Sequence, residues 1–203
     1  MVAGAFAKMA LQEKFPNLEV RALTKSIFNI EVSKASDEDF FEHPVTGLGF
    51  LNQAQYEKAA QLLTSAKQDG ESYGGVVEVR VKNPVKSLGQ PVFGKFKAHL
   101  ASAILSLGAV KSFSLGDEVD LKSSSGTEFH SKERSVYGGV SGGLTTGDTI
   151  KFFCDVKPTS SILDVSKKGR HDPCIVPRLL VVIESMVWMV LMDLYLQRKV
   201  ETG

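Results

Sequence analysis

A chain of 203 residues is long enough to enclose one sizeable core. Its 43% apolar and 23% charged residues are ordinary for a globular protein, and a net charge of +1 provides no field to recruit nucleic acid or an acidic membrane. Two cysteines, Cys154 and Cys174, make neither a disulfide framework nor a zinc site, which points to reduced thiols in the cytoplasm. Residues 1–11 lack the basic leader and cleavage site of a secretory signal.

Residues 2–14 read as a helix of good helix formers with Lys14 at its end, and no capping side chain precedes it, so the chain reads as cut there. Residues 19–30 alternate enough to suggest strands, and Ser36 to Asp39 forms a polar capped turn. An amphipathic helix spans 53–67 and closes at Asp69-Gly70. In the strand 73–81, Val77, Val79 and Val81 face one way, with Glu78, Arg80 and Lys82 opposite, and Asn83-Pro84 ends it. Pro91 is expected to open a helix that runs to Leu107. A short strand is expected over 109–115, a serine-rich loop over 116–135, and a strand over 149–156 with Ile150, Phe152, Cys154 and Val156 on one face. From Pro177 a long apolar helix follows. It could span a bilayer by length, but Arg178, Glu184 and Asp193 interrupt it, so it reads as a buried helix and not a membrane segment. With no steady β-α-β rhythm, the fold class is α+β: one domain over 1–203, antiparallel sheets layered with helices.

Three segments could carry chemistry. Glycines at 138, 139, 142, 143 and 147 could expose amides to an anion, or simply form a tight bend, and their spacing fits no nucleotide motif. Lys157-Pro158-Thr159-Ser160-Ser161 offers an ammonium and three hydroxyls where a strand ends, suited to phosphate or to an ordinary turn. The run 168–174 places Arg170, His171 and Asp172 in succession before Pro173. Arg170 could grip an anion and Asp172 orient a ligand or base; His171 would point away from both and reads as structural. His43, His99 and His130 have no partner pattern and are expected on the surface. No metal-ligand spacing occurs.

Five motifs, in order, resemble the chorismate synthase family. They are Gly89-Gln90-Pro91-Val92-Phe93, Gly108-Ala109-Val110-Lys111, the glycine stretch 138–147, the turn 157–161, and Gly169-Arg170-His171-Asp172-Pro173-Cys174 with its following helix. The resemblance runs from near Met1 to about Arg198. It implies a lyase of the shikimate pathway and aromatic amino acid biosynthesis, which eliminates phosphate from 5-enolpyruvylshikimate 3-phosphate to give chorismate. It also implies reduced FMN as cofactor, a link to NADP, a cytoplasmic location and a homotetramer. By position, Gly108, Ala109, Gly142, Lys157, Pro158, Thr159, Ser160, Ser161 and Arg170 match flavin-contacting residues. Arg170 also matches a substrate-gripping residue, and Asp172 the acid that assists deprotonation through flavin N5.

The sequence also departs from that pattern. The N-terminal part of the family, with a Gly-Glu-Ser-His-Gly-like motif and two histidines used as acids, has no counterpart here, so negligible turnover is expected of this chain alone. Gly108 stands where many members have asparagine or proline, and residues 162–168 form a shortened loop. The alternative reading is a non-catalytic flavin-binding or scaffold protein.

Overall fold

Alternating valines build the central strand. The computed structural model describes residues 1–132, 134–163 and 172–202. In β3 (Gly75–Lys82), Val77, Val79 and Val81 are completely buried. On one side β3 pairs antiparallel with β1 (Glu19–Ile27), with Ala22 opposite Val79. On its other side it pairs antiparallel with β7 (Ile150–Val156), with Val79 opposite Phe152. Short edge strands, β2 (Ile30–Glu31) and β4 (Ser114–Leu115), complete a five-stranded sheet in the order β2-β1-β3-β7-β4. A separate hairpin joins β5 (Val140–Ser141) to β6 (Leu144–Thr145).

One face of this sheet carries α6 (Val176–Thr202), and α1 (Val2–Lys14) and α4 (Phe96–Leu105) pack against α6. Leu11, Leu100, Ile104, Ile183, Val187 and Leu191 meet the inward residues of β1, β3 and β7 in one core. Gly4 lets α1 lie against α6, because a Cβ there would stand 2.6 Å from the Ser185 Cβ. The helix α3 (Gln53–Asp69) ends in left-handed Gly70, as read from the sequence, and its start is capped by the Asn52 side chain. These elements bear out the α+β reading.

The α6 segment Val176–Glu201 is long and apolar enough to cross a membrane by length and composition. Its sheet-facing side is buried, through Val176, Ile183, Val187 and Leu191, but Val181, Leu196 and Val200 are exposed. The expected burial therefore holds for one side of the helix.

The structure adds to or corrects the sequence reading at four places. First, Glu78 and Arg80 lie opposite the valines, as expected, and are buried there. The Arg80 side chain is only 2% exposed, and its guanidinium lies 2.6 Å from both Glu78 Oε1 and Asp37 Oδ1 and 4.3 Å from the centre of the Phe40 ring. The strip 32–43, with α2 (Asp37–Glu42), covers that face and compensates the charge. Second, the helix expected from Pro91 starts at Phe96. Residues 90–94 instead close on themselves through the Gln90 N–H to the Gly94 carbonyl, 2.7 Å. Third, the strand expected over 109–115 is reduced to a bridge at Val110 and the two residues of β4. Fourth, the serine-rich loop contains a short helix, α5 (Gly126–Ser131), capped by Ser125.

Candidate functional site

Where β3 begins and β7 ends, four chain segments converge. Beyond Val156, the chain turns outward, and the Lys157 N–H donates to the Ala109 carbonyl, 2.9 Å. The bridge from Val110 to Val156 fixes the same register. Hence the loop after α4 and the turn 157–161 are neighbours. Lys157, Pro158 and Ser160 are exposed, and Thr159 and Ser161 are half-buried. Gly108 is exposed, with no atom within 4 Å of where its Cβ would stand.

Two further segments close on this turn. The buried Ser72 hydroxyl donates to the Thr159 carbonyl, 2.8 Å, and the Tyr73 N–H to the Pro173 carbonyl, 2.8 Å. The Thr159 hydroxyl donates to the Asp172 carbonyl, 2.9 Å. Asp172 turns its carboxylate toward the first turn of α6, where Arg178 Nε lies 3.0 Å from Oδ2. Gly74 makes this close approach possible, because a Cβ there would lie 2.3 Å from the Val156 carbonyl oxygen.

The structure thus brings together Gly108, Ala109, Lys157, Pro158, Thr159, Ser160, Ser161 and Asp172 at one end of the sheet. Arg170 and His171 lie outside the described residues. Gly142 stands elsewhere. Its hairpin packs at the start of β7, where the Gly139 backbone meets Asp148, Thr149 and Ile150. The seven residues of β7 separate the two places by about 20 Å at the rise of an extended strand. Gly142 and Gly143 have φ of 59° and 98°, as a two-residue type I′ turn demands, so the bend reading accounts for them structurally. Beside the hairpin, Lys95, Lys97 and Tyr137 line a cavity of about 330 Å³.

Burial pushes the Cys174 thiol, next to this cluster, up to about 11, and that of Cys154 up to about 12, so both stay protonated thiols near neutral pH. Of the histidines, His43 lies 3.4 Å from Asp39, and His130 Nδ1 lies 2.6 Å from the Tyr137 hydroxyl, a partner 7 residues along that no sequence pattern marked. Among the described residues no group of three or more acidic, histidine or cysteine side chains could hold a metal.

Sequence reasoning missed Ser72, Gly74 and Arg178. Ser72 and Gly74 precede a strand 80 or so residues before the turn they support, and no local signal links them. Arg178 could have been suspected, being a charge in the first turn of an otherwise apolar helix.

Comparison with known proteins gives a consistent result. The family model described as chorismate synthase matches residues 1–196. A chorismate synthase of Bdellovibrio bacteriovorus is 50% identical over 145 residues, 71% of this chain and 42% of that protein. One of Lachnospira eligens is 36% identical over 217 residues, 96% of this chain and 58% of that protein. A crystal structure of a chorismate synthase shares the fold, with a TM-score of 0.75 at 24% identity, over 97% of this chain and 61% of that one. The chain therefore spans about two fifths to three fifths of the length of these relatives.

Proposed function

Because the chain belongs to the chorismate synthase family, we propose that it serves the reaction of that family, loss of phosphate and a ring proton from 5-enolpyruvylshikimate 3-phosphate to give chorismate. The observation that supports this most is the convergence of the 157–161 turn, Ala109 and Asp172 at one end of the sheet.

The residues there suit FMN. An exposed ammonium and hydroxyls at a strand exit, with open backbone at Gly108, match a phosphate-bearing ligand with a planar ring. Lys157, Thr159, Ser160 and Ser161 would hold it, with Ala109 and Gly108 leaving room. When bound in reduced form, FMN supplies the electron density this elimination needs. The chain's own part is then electrostatic and geometric. Lys157 places a positive charge beside a dianionic group. Asp172, held through its backbone by Thr159, presents a carboxylate that accepts a proton. Arg170 is assigned the grip on the anionic substrate, and Gly142 a flavin contact supplied from outside this cluster. A cytoplasmic homotetramer with NADP-linked reduction of the flavin belongs to the same reading.

Of the described histidines, His43 at the end of α2 pairs with Asp39 and His130 on α5 with the Tyr137 hydroxyl, and neither of these contacts is with this cluster. Turnover by this chain alone is therefore expected to be negligible. The test is FMN titration by fluorescence quenching, followed by a phosphate-release assay with reduced FMN and the enolpyruvyl substrate. Saturable binding with little or no turnover is the expected result. No binding at high micromolar FMN overturns the reading.

A further inference from the structure

Two side chains outside the expected site tie its parts into one unit. Ser72 is buried at the entrance to β3, and its hydroxyl holds the Thr159 carbonyl at 2.8 Å. Thr159 in turn holds the backbone of Asp172 at 2.9 Å, and the Tyr73 N–H holds the next carbonyl, that of Pro173, at 2.8 Å. The Asp172 backbone is thus fixed from the sheet side. Its carboxylate is fixed from the helix side by Arg178, 3.0 Å away.

The Arg178 pair is unlike a stability device. The Arg178 side chain is 56% exposed, and a pair that open to solvent contributes little to folding. What the pair does fix is the direction of one carboxylate, since a forked guanidinium orients its partner more narrowly than an ammonium does. Ser72 has a different task. Turns that leave a strand are otherwise free to swing, and a buried hydroxyl bound to a turn carbonyl removes that freedom.

We propose that Ser72 and Arg178 are positioning residues of the site, Ser72 for the 157–161 turn and Arg178 for the Asp172 carboxylate. This rests on the functional reading above. Neither residue touches a reacting atom; each acts through a neighbour.

The experiment is FMN titration of the full chain and of S72A, S72T, R178Q, D172N and R178Q/D172N, with the thermal midpoint of each recorded. S72A is expected to weaken FMN binding by roughly fivefold to tenfold, the affinity equivalent of one lost hydrogen bond, with S72T restoring it. R178Q is expected to shift the dissociation constant in the unaltered chain and to leave it unchanged in the D172N background, while the thermal midpoints of R178Q and D172N stay close to that of the parent. That dependence on Asp172 is what a merely structural arginine would not show. An unaltered chain that binds no FMN overturns the functional reading and this inference with it. A chain that binds FMN, with S72A binding equally well or the R178Q shift persisting beside D172N, overturns the inference alone.

Discussion

Gly74 and Gly108 sit in the same cluster and should respond to substitution in opposite ways. At Gly74 a single methyl would be driven to 2.3 Å from the Val156 carbonyl and 3.1 Å from Pro158. Both obstacles are stiff, so the entrance of β3 must move off the turn. Gly74→Ala should cost about 1–3 kcal/mol of stability in urea unfolding and release the hydrogen bond from Ser72. At Gly108 nothing lies within 4 Å and the backbone needs no left-handed φ. Gly108→Ala should be neutral or stabilise by about 0.5 kcal/mol, through loss of freedom in the unfolded chain. The same denaturation series checks both. This contrast also marks what was legible. The types and order of Lys157, Thr159 and Asp172 stand in the sequence, and a strand exit and a proline locate them. The requirement for glycine at 74 depends on Val156 and Pro158, more than 80 residues away, and no local pattern encodes it.

At the scale of elements, alternation located β3 and β7 and separated the two faces of β3, but it carried no sign of what covers the second face. The valines of β3 read correctly because a period of two needs only local sequence. Glu78 and Arg80 look like solvent-facing residues until α2 is laid over them, and what makes their burial tolerable comes from Asp37, Phe40 and the Ala35 carbonyl. The same face carries Asp117. Burial would raise its carboxyl, but hydrogen bonds from Lys151, Ser135 and Lys34 outweigh burial and hold it well below the usual carboxylate range. A carboxylate lowered in the fold contributes stability that is fully present above its unfolded value, about 4, and is lost as pH falls through the folded value. Asp117→Asn should therefore destabilise the protein at neutral pH, and its difference from the parent should shrink progressively below about pH 4. Unfolding midpoints measured from pH 7 to pH 2 test this, and a difference constant with pH would refute it.

At the scale of the whole molecule, two helices of the layer on the five-stranded sheet, α1 and α6, are apolar on both sides. On the side facing α6 and the core, α1 buries Ala7 and Leu11; away from it, Val2, Phe6 and Met9 recur at helical spacing, each about two thirds or more exposed. Next to them, Val181, Trp188 and Lys8 line an open groove of about 440 Å³. Glu184 also reaches this groove. Burial raises its carboxyl, and the hydrogen bond from the Ala22 N–H offsets that only in part. An apolar stripe of this kind exceeds the scattered exposure of an ordinary surface, and a net charge of +1 gives little repulsion between copies. Self-association in the micromolar range is therefore expected, visible as a sedimentation coefficient that rises with concentration. Replacing Phe6 and Met9 together by lysine should suppress that rise and leave the unfolding midpoint nearly unchanged, because both side chains meet solvent and not the core. Should the double variant sediment like the parent, the stripe on α1 is not the associating surface. Should it unfold at markedly lower denaturant, those side chains are carrying packing that their exposure does not show.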